Sequence, residues 1–284
     1  KGSRLLSGKI SISGSKNAAL PILAATILSN QVKLTNVPLV KDIFTMSELL
    51  KFIGLKINIF KSKNIIEIKN KDKGINTLAP YKLVKTMRAG VLVLGPLLAK
   101  YKKAKISLPG GCAIGSRPVD LHLFALKKLG AKIKIKNGYI IAEAKNGLRG
   151  SKIIFPSISV GATENAILAS FKAEGKTTLI NCAIEPEIMD LIKFLNKLGG
   201  NIEIVGRKII INKARELNKN IKHEIIFDRI EAGTYMIAAA LIGKKIILNN
   251  VSPKIIKTEL SVLKKMGVRI KTLKSKIEIF KSDK

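Results

Sequence analysis

Tryptophan is absent from the 284-residue chain, and four Tyr and nine Phe are the only other large aromatics. A surface that binds nucleic acid by stacking bases is therefore poorly supplied. Cysteine is nearly absent too. Cys112 and Cys182 stand alone, without metal-ligand spacing, so neither a disulfide framework nor a metal site is expected. The longest apolar runs, Ala18–Leu28 and Ala89–Ala99, are about half the ~20 residues that cross a bilayer. The opening residues KGSRLLSGK lack the apolar core of a signal peptide. These absences point to a cytoplasmic protein with no membrane partner. Acidic residues are scarce: 19 Asp and Glu face 52 Lys and Arg, a net charge of +33. A polyanion could neutralise such a charge. Yet the lysines are spread along strands, turns and helix surfaces, and Ile and Asn are abundant beside them, as in biased composition. A nucleic-acid partner is thus disfavoured, and an anionic small substrate fits either reading.

What the chain has in quantity is apolar residues, 46%, enough to build a real core. They recur in a repeat. Four segments end a helical pattern in glycine and then alternate polar with apolar: KFIGLKINIF, KKLGAKIKIK, NKLGGNIEIV and KKMGVRIKTL. The marker glycines, Gly54, Gly130, Gly199 and Gly267, are 76, 69 and 68 residues apart. Each suits the left-handed position after a helix, and the alternation predicts a half-buried strand. Each unit opens with a helix of small apolar residues: 16–28, 81–99, 162–173 and 230–242. These are apolar nearly all round, which predicts burial. A strand, an amphipathic helix and two more strands complete an α-β-α-β-β plan, seen four times. Several such units must pack together to cover their apolar faces. Three make a domain over 14–223, with the polar stretch 212–223 as its boundary. Residues 1–13 with 224–284 then form part of a second, discontinuous domain.

One repeat breaks the pattern. From strand to marker glycine, 32–54, 177–199 and 245–267 each take 23 residues, whereas 104–130 takes 27. The four extra residues fall in GGCAIGSRP. Folding does not require them, so this glycine-rich loop reads as functional or as a tolerated insertion. Cys112 within it is either a small buried hydrophobe or, beside Arg117, a tuned thiol. Cys182 follows a strand in a repeat of ordinary length and reads as structural. Ser13–Asn17 enters the first apolar helix, where backbone N–H groups attract anions and Lys16 adds charge, although a plain cap explains it equally. Lys85 and Arg88 lie on the second apolar helix and should reach a cleft or a partner. Ser159–Glu164 enters the third, as a cap or as a second anion site. His122 and His223 have no ligand-spaced companions, and no metal is assigned. Asp228 and Glu231 read as a cap and ion pair at the fourth apolar helix.

At these residues the chain resembles the enolpyruvyl transferase family. The motifs are SGSKNAALPI (13–22), LVKTMRAG (83–90), LPGGCAIGSRPVDLH (108–122), SVGAT (159–163), EPEIMDL (185–191) and DRIEAGT (228–234), in family order over nearly the whole chain. The cysteine loop resembles members that act on a UDP-sugar, and shikimate-pathway members lack it. The resemblance implies an inside-out α/β barrel of six repeats, of which four are present, so that about the last third is expected to lie outside this chain. It implies transfer of an enolpyruvyl group from phosphoenolpyruvate to the 3-hydroxyl of UDP-N-acetylglucosamine, releasing phosphate, in peptidoglycan synthesis, with no cofactor. Lys16 and Asn17 match the phosphoenolpyruvate-binding pair, and Lys16 also offsets charge in the transition state. Cys112 matches the general acid, which fosfomycin alkylates. Arg88, the segment Arg117, Pro118, Val119, Asp120 and Leu121, and the segment Ser157, Ile158, Ser159 and Val160 match contacts to the sugar nucleotide. Ser157 departs from a lysine common there. The family's aspartate base falls in the expected remainder, so residues 1–284 alone are expected to be inactive.

Overall fold

The computed structural model describes residues 6–85, 87–108, 119–214 and 216–280. Two compact units emerge, 16–224 and 1–15 with 225–284. No helix among the described residues is long and apolar enough to cross a membrane.

The larger unit holds three copies of one motif. The first copy has helices α1 (Lys16–Ala25) and α2 (Lys41–Ile53), and the second has α3 (Tyr81–Val84), α4 (Leu94–Tyr101) and α5 (Asp120–Lys128). The third has α6 (Val160–Ser170) and α7 (Pro186–Lys197). Each copy carries a four-stranded sheet of one pattern. In the first, Gln31–Thr35 pairs antiparallel with Ile65–Lys69, which pairs antiparallel with Lys56–Phe60. Alternation sets the buried face: Val32 and Leu34 lie opposite Ile68 and Ile66, all buried, while Lys33 meets Glu67 on the other, partly exposed face. All four marker glycines have positive φ, from 87 to 118°, as their place after a helix requires.

A fourth strand in each sheet escaped the repeat pattern. Leu78–Ala79, Lys152–Ile154 and Asn220–Glu224 add in parallel to the edge of the second, third and first sheets. The first two are two and three residues long, too short for alternation to show. The third lies in the polar stretch read as a boundary. Despite its polarity it is a strand, and it buries Ile221 and His223. His223 Nε2 lies 3.1 Å from Asp190 Oδ1 of α7, and its ring meets Phe194 edge-on at 5.5 Å.

Helices α1 and α6 are buried almost throughout, and α1 packs on α2 and α7 while α6 packs on α4 and α5. The expected continuous helix over 81–99 is broken instead. After α3 the chain passes through the 3₁₀ turn Arg88–Val93 before α4 begins. Gly90 lies in that turn and Gly95 and Pro96 open α4, and Pro96 can offer no N–H to an α-helical bond across the junction.

The smaller unit has one copy: α8 (Arg229–Ile242), α9 (Lys257–Lys265) and a sheet ordered Leu6–Ser11, Gly243–Asn249, Lys276–Phe280, Ile270–Leu273. Its core gathers Ile12, Phe227, Met236, Leu248, Ile256 and Ile277. Here the expectation of an all-round buried helix fails. Only Ala232, Met236 and Ala239 of α8 are buried, while Ile237 and Leu241 are 56% and 78% exposed. Within this unit one face of α8 packs on the sheet, and among the described residues Ile237 and Leu241 on the other remain exposed.

Candidate active site

Most of the matched residues stand at the N-terminal ends of buried helices, where unpaired N–H groups favour anions. Lys16 is the first residue of α1, and its Nζ lies 3.0 Å from Asp42 Oδ2 on the first turn of α2. With 42% of the side chain exposed, the pair is a watery one worth at most about 1 kcal/mol. Asn17 beside it is exposed. Arg88, also exposed, opens the 3₁₀ turn that packs against α1. Val119 is buried just before α5, Asp120 is exposed at its first position, and Leu121 is half-buried. Ser159 caps α6, its Oγ accepting from the Ala162 N–H at 3.3 Å, and Ser157, Ile158 and Val160 are exposed around it. Cys112, Arg117 and Pro118 lie outside the described residues.

Three of these segments meet below the surface, on groups that the sequence reading had not selected. Asn165 of α6 is fully buried. Its Oδ1 accepts from the Gly95 N–H at 2.7 Å, and its Nδ2 lies 3.1 Å from both Val91 O and His122 Nδ1. His122, on the first turn of α5, is buried as well, and its ring edge lies against Gly161 at the start of α6. A Cβ at Gly161 would sit 3.1 Å from His122 Cε1, so the bare backbone makes this approach possible. Burial, with the Arg88 charge beside it, pushes the His122 imidazole down to about 4. Glu164, next along α6, is also buried. That burial, with Glu187 and Glu185 near, pushes its carboxyl well above the usual carboxylate range, while Arg88 acts the other way. The readable signal was a pair of polar residues, Glu164-Asn165, inside an otherwise apolar helix. No cluster able to hold a metal occurs among the described residues. Cys182 is buried and its thiol is pushed up to about 11, mainly by desolvation, which suits an inert residue.

The His122 shift has a measurable consequence. Between about pH 4 and 6.5 the unfolded chain takes up a proton that folded His122 refuses, so its contribution to stability falls as pH falls through that window. From pH 7 to pH 5 the loss is about 2 kcal/mol. Glu164 has the opposite sign: its raised folded pKa favours the folded state at low pH, and that contribution is lost as pH rises above the ordinary carboxylate value. Urea unfolding of wild type and His122→Gln at the two pH values isolates the histidine. The fall in stability on acidification is expected to be about 2 kcal/mol smaller in the variant; equal pH dependence would mean that the imidazole is not held neutral.

The comparisons agree along the whole chain. Residues 1–283 match the family model described as EPSP synthase (3-phosphoshikimate 1-carboxyvinyltransferase). A curated relative from Pelagibacter ubique (strain HTCC1062), named UDP-N-acetylglucosamine 1-carboxyvinyltransferase, is 55% identical over 284 residues, all of this chain and 67% of its own length. A relative of the same name from Endomicrobium trichonymphae is 48% identical, covering 98% of this chain and 66% of its own length. The chain thus spans about two thirds of these relatives. Among solved structures, the enolpyruvyl transferase NikO from Streptomyces tendae superposes with a TM-score of 0.86 at 20% identity, over 100% of this chain and 67% of that one. EPSP synthase from Acinetobacter baumannii gives 0.77 at 18%, over 98% and 65%. At those identities the structures speak for the fold, an α/β architecture of repeated units. Together with the family model and the relatives, they show that this chain belongs to the EPSP synthase family of carboxyvinyl, or enolpyruvyl, transferases.

Proposed function

We propose that the intact protein transfers the enolpyruvyl group of phosphoenolpyruvate to the 3-hydroxyl of UDP-N-acetylglucosamine, releasing phosphate, as a cytoplasmic step in peptidoglycan synthesis and hence in cell shape and division. The observation that carries this reading is the 55% identity, over all of this chain, to a relative named for that activity. The loop PGGCAIGSRPVDL supports it, since it holds the thiol and guanidinium that the UDP-sugar branch uses.

In this reading Lys16 holds the phosphate at the N-terminus of α1. Cys112 delivers a proton to the methylene carbon while the sugar oxygen bonds to the adjacent carbon, giving a tetrahedral ketal. Loss of a proton from the new methyl group then expels phosphate and restores the double bond. Arg88, Arg117–Leu121 and Ser157–Val160 bind the sugar nucleotide. The base for the 3-hydroxyl is assigned to the part of the relatives beyond the matched two thirds. The bare apolar face of α8 supports two further repeats that would cover it. The high positive charge is compatible with two anionic substrates as well as with biased composition, and the reading needs no nucleic acid to explain it.

The test is phosphate release by the intact protein given both substrates, with fosfomycin labelling followed by peptide mass mapping. Release that requires both substrates, together with labelling at Cys112 that Cys112→Ala abolishes, is the expected result. Steeply salt-dependent DNA binding without any UDP-sugar binding, or labelling that persists at that peptide in the variant, would sink the reading.

A further inference from the structure

The polar contacts of Asn165 do not stay within its helix. Its side chain bonds to Gly95 and Val91, in the second repeat's inner segment, and to His122 at the base of α5. Val91 belongs to the same 3₁₀ turn as Arg88. His122 directly follows Val119–Leu121, and Asn165 itself lies just over one helical turn beyond Ser157–Val160. We infer that Asn165 is a positioning residue for the sugar nucleotide, one amide that cross-links the Arg88 turn, the 119–121 segment and the 157–160 segment in a single register. The inference rests on the function proposed above and adds to it a residue that touches no substrate.

The orientation of that amide is fixed by its backbone partners. The Gly95 N–H can only donate, so Oδ1 must face it, and Val91 O can only accept, so Nδ2 must face that. Nδ2 therefore presents its second hydrogen to His122 Nδ1. That nitrogen must be a bare acceptor, which puts the ring proton on Nε2, the nitrogen nearer to Gly161. A doubly protonated ring would set N–H against N–H. The histidine is thereby held in one tautomer and one rotamer, and the start of α5 is held against the start of α6. An apolar residue at 165 would fill the space and leave Gly95 N–H, Val91 O and His122 Nδ1 without these bonds, which buried polar groups rarely tolerate.

A purely structural amide predicts a uniform loss of stability and of both substrates' kinetics. A positioning residue predicts a split. In the intact enzyme, Asn165→Ala is expected to raise KM for UDP-N-acetylglucosamine about tenfold or more, the effect of one or two buried hydrogen bonds. KM for phosphoenolpyruvate should stay within about twofold, because nothing in the network touches Lys16. His122→Leu, which removes the acceptor, is expected to give the same split. His122→Gln, whose Oε1 can accept from Asn165 Nδ2, is expected to recover most of the affinity. An Asn165→Ala/His122→Leu double variant should be little worse than either single one. If Asn165→Ala fails to fold, the His122 pair carries the test alone. The inference is overturned if the sugar-nucleotide KM is unchanged, if both KM values rise together, or if His122→Gln is no better than His122→Leu. A wild type that neither binds nor turns over UDP-N-acetylglucosamine overturns the proposed function instead, and that outcome is read before any variant is made.

Discussion

Replacing Lys16 with alanine in the intact enzyme is expected to lower kcat/KM for phosphoenolpyruvate about 10²–10³-fold, the usual effect of deleting one preorganised group that meets developing charge. The structure gives the physical reason. Lys16 opens α1, where backbone N–H groups already favour an anion, and eight of the nine residues after it are buried. The helix cannot retreat, so the ammonium is delivered from a rigid base. Its present partner, Asp42, is 3.0 Å away in a partly exposed ion pair. On the proposed function, a phosphate arriving there competes with that carboxylate. Asp42→Asn is therefore expected to strengthen inhibition by inorganic phosphate, by at most about fivefold, since an exposed pair is worth about 1 kcal/mol or less. Steady-state kinetics with varied phosphoenolpyruvate, and phosphate inhibition of both variants, check the two effects. A Lys16→Ala enzyme within tenfold of wild type would mean that the phosphate is held elsewhere.

Gly95→Ala is expected to cost about 3 kcal/mol of stability in the larger unit, through overpacking and a lost buried hydrogen bond. Its backbone needs no unusual dihedral; proximity makes the demand. A Cβ there would sit 2.4 Å from Asn165 Oδ1 and 2.6 Å from Asn165 O, so α4 and α6 touch almost backbone to backbone. The side-chain oxygen could swing away, but the carbonyl is fixed in its helix. A fall in Tm of roughly 6–12 °C is expected from that cost in a domain of this size. Adding Asn165→Ala removes the amide clash and leaves the carbonyl clash, so it should not restore stability. Full recovery of Tm in that double variant, by calorimetry, would show that the helix backbones have room to spare.

The repeat architecture was legible because it is written in backbone chemistry. A glycine after each amphipathic helix and a two-residue period beyond it are local signals, and each resolved as a left-handed glycine leading into a strand. What depends on distant partners was not legible. Leu78–Ala79 is a strand only because Lys105 and Ile106 lie beside it. Asn220–Glu224, with Asn, Lys, His and Glu in five residues, falls at the end of the polar stretch read as a domain boundary. It is ordered by Gln31–Thr35 on one side and by Asp190 beneath His223. The site divides in the same way. Lys16 and Ser159 stood out as polar groups at helix entrances, and Arg88 as a charge on an otherwise apolar segment. Asn165 did not, because a buried amide acquires meaning only from the three groups it faces. Gly90, Gly95 and Pro96 mark where the second inner helix splits, but the apolar run 89–99 carries no break in its hydrophobicity.

The edge strand Asn220–Glu224 also sets a timetable. Gln31–Thr35 leaves the ribosome early, yet its parallel neighbour is among the last parts of the larger unit to be synthesised. Leu6–Ser11 waits longer still, for Gly243–Asn249. In both cases a strand edge stays open until a partner far along the chain has been made, and closing it requires a long-range pairing that is slow to find. Within the larger unit the first repeat is thus made before the other two and completed after them. A nascent chain of this kind is exposed to misassembly until residues 220–224 and then 243–249 emerge, which is when chaperone protection during synthesis would matter.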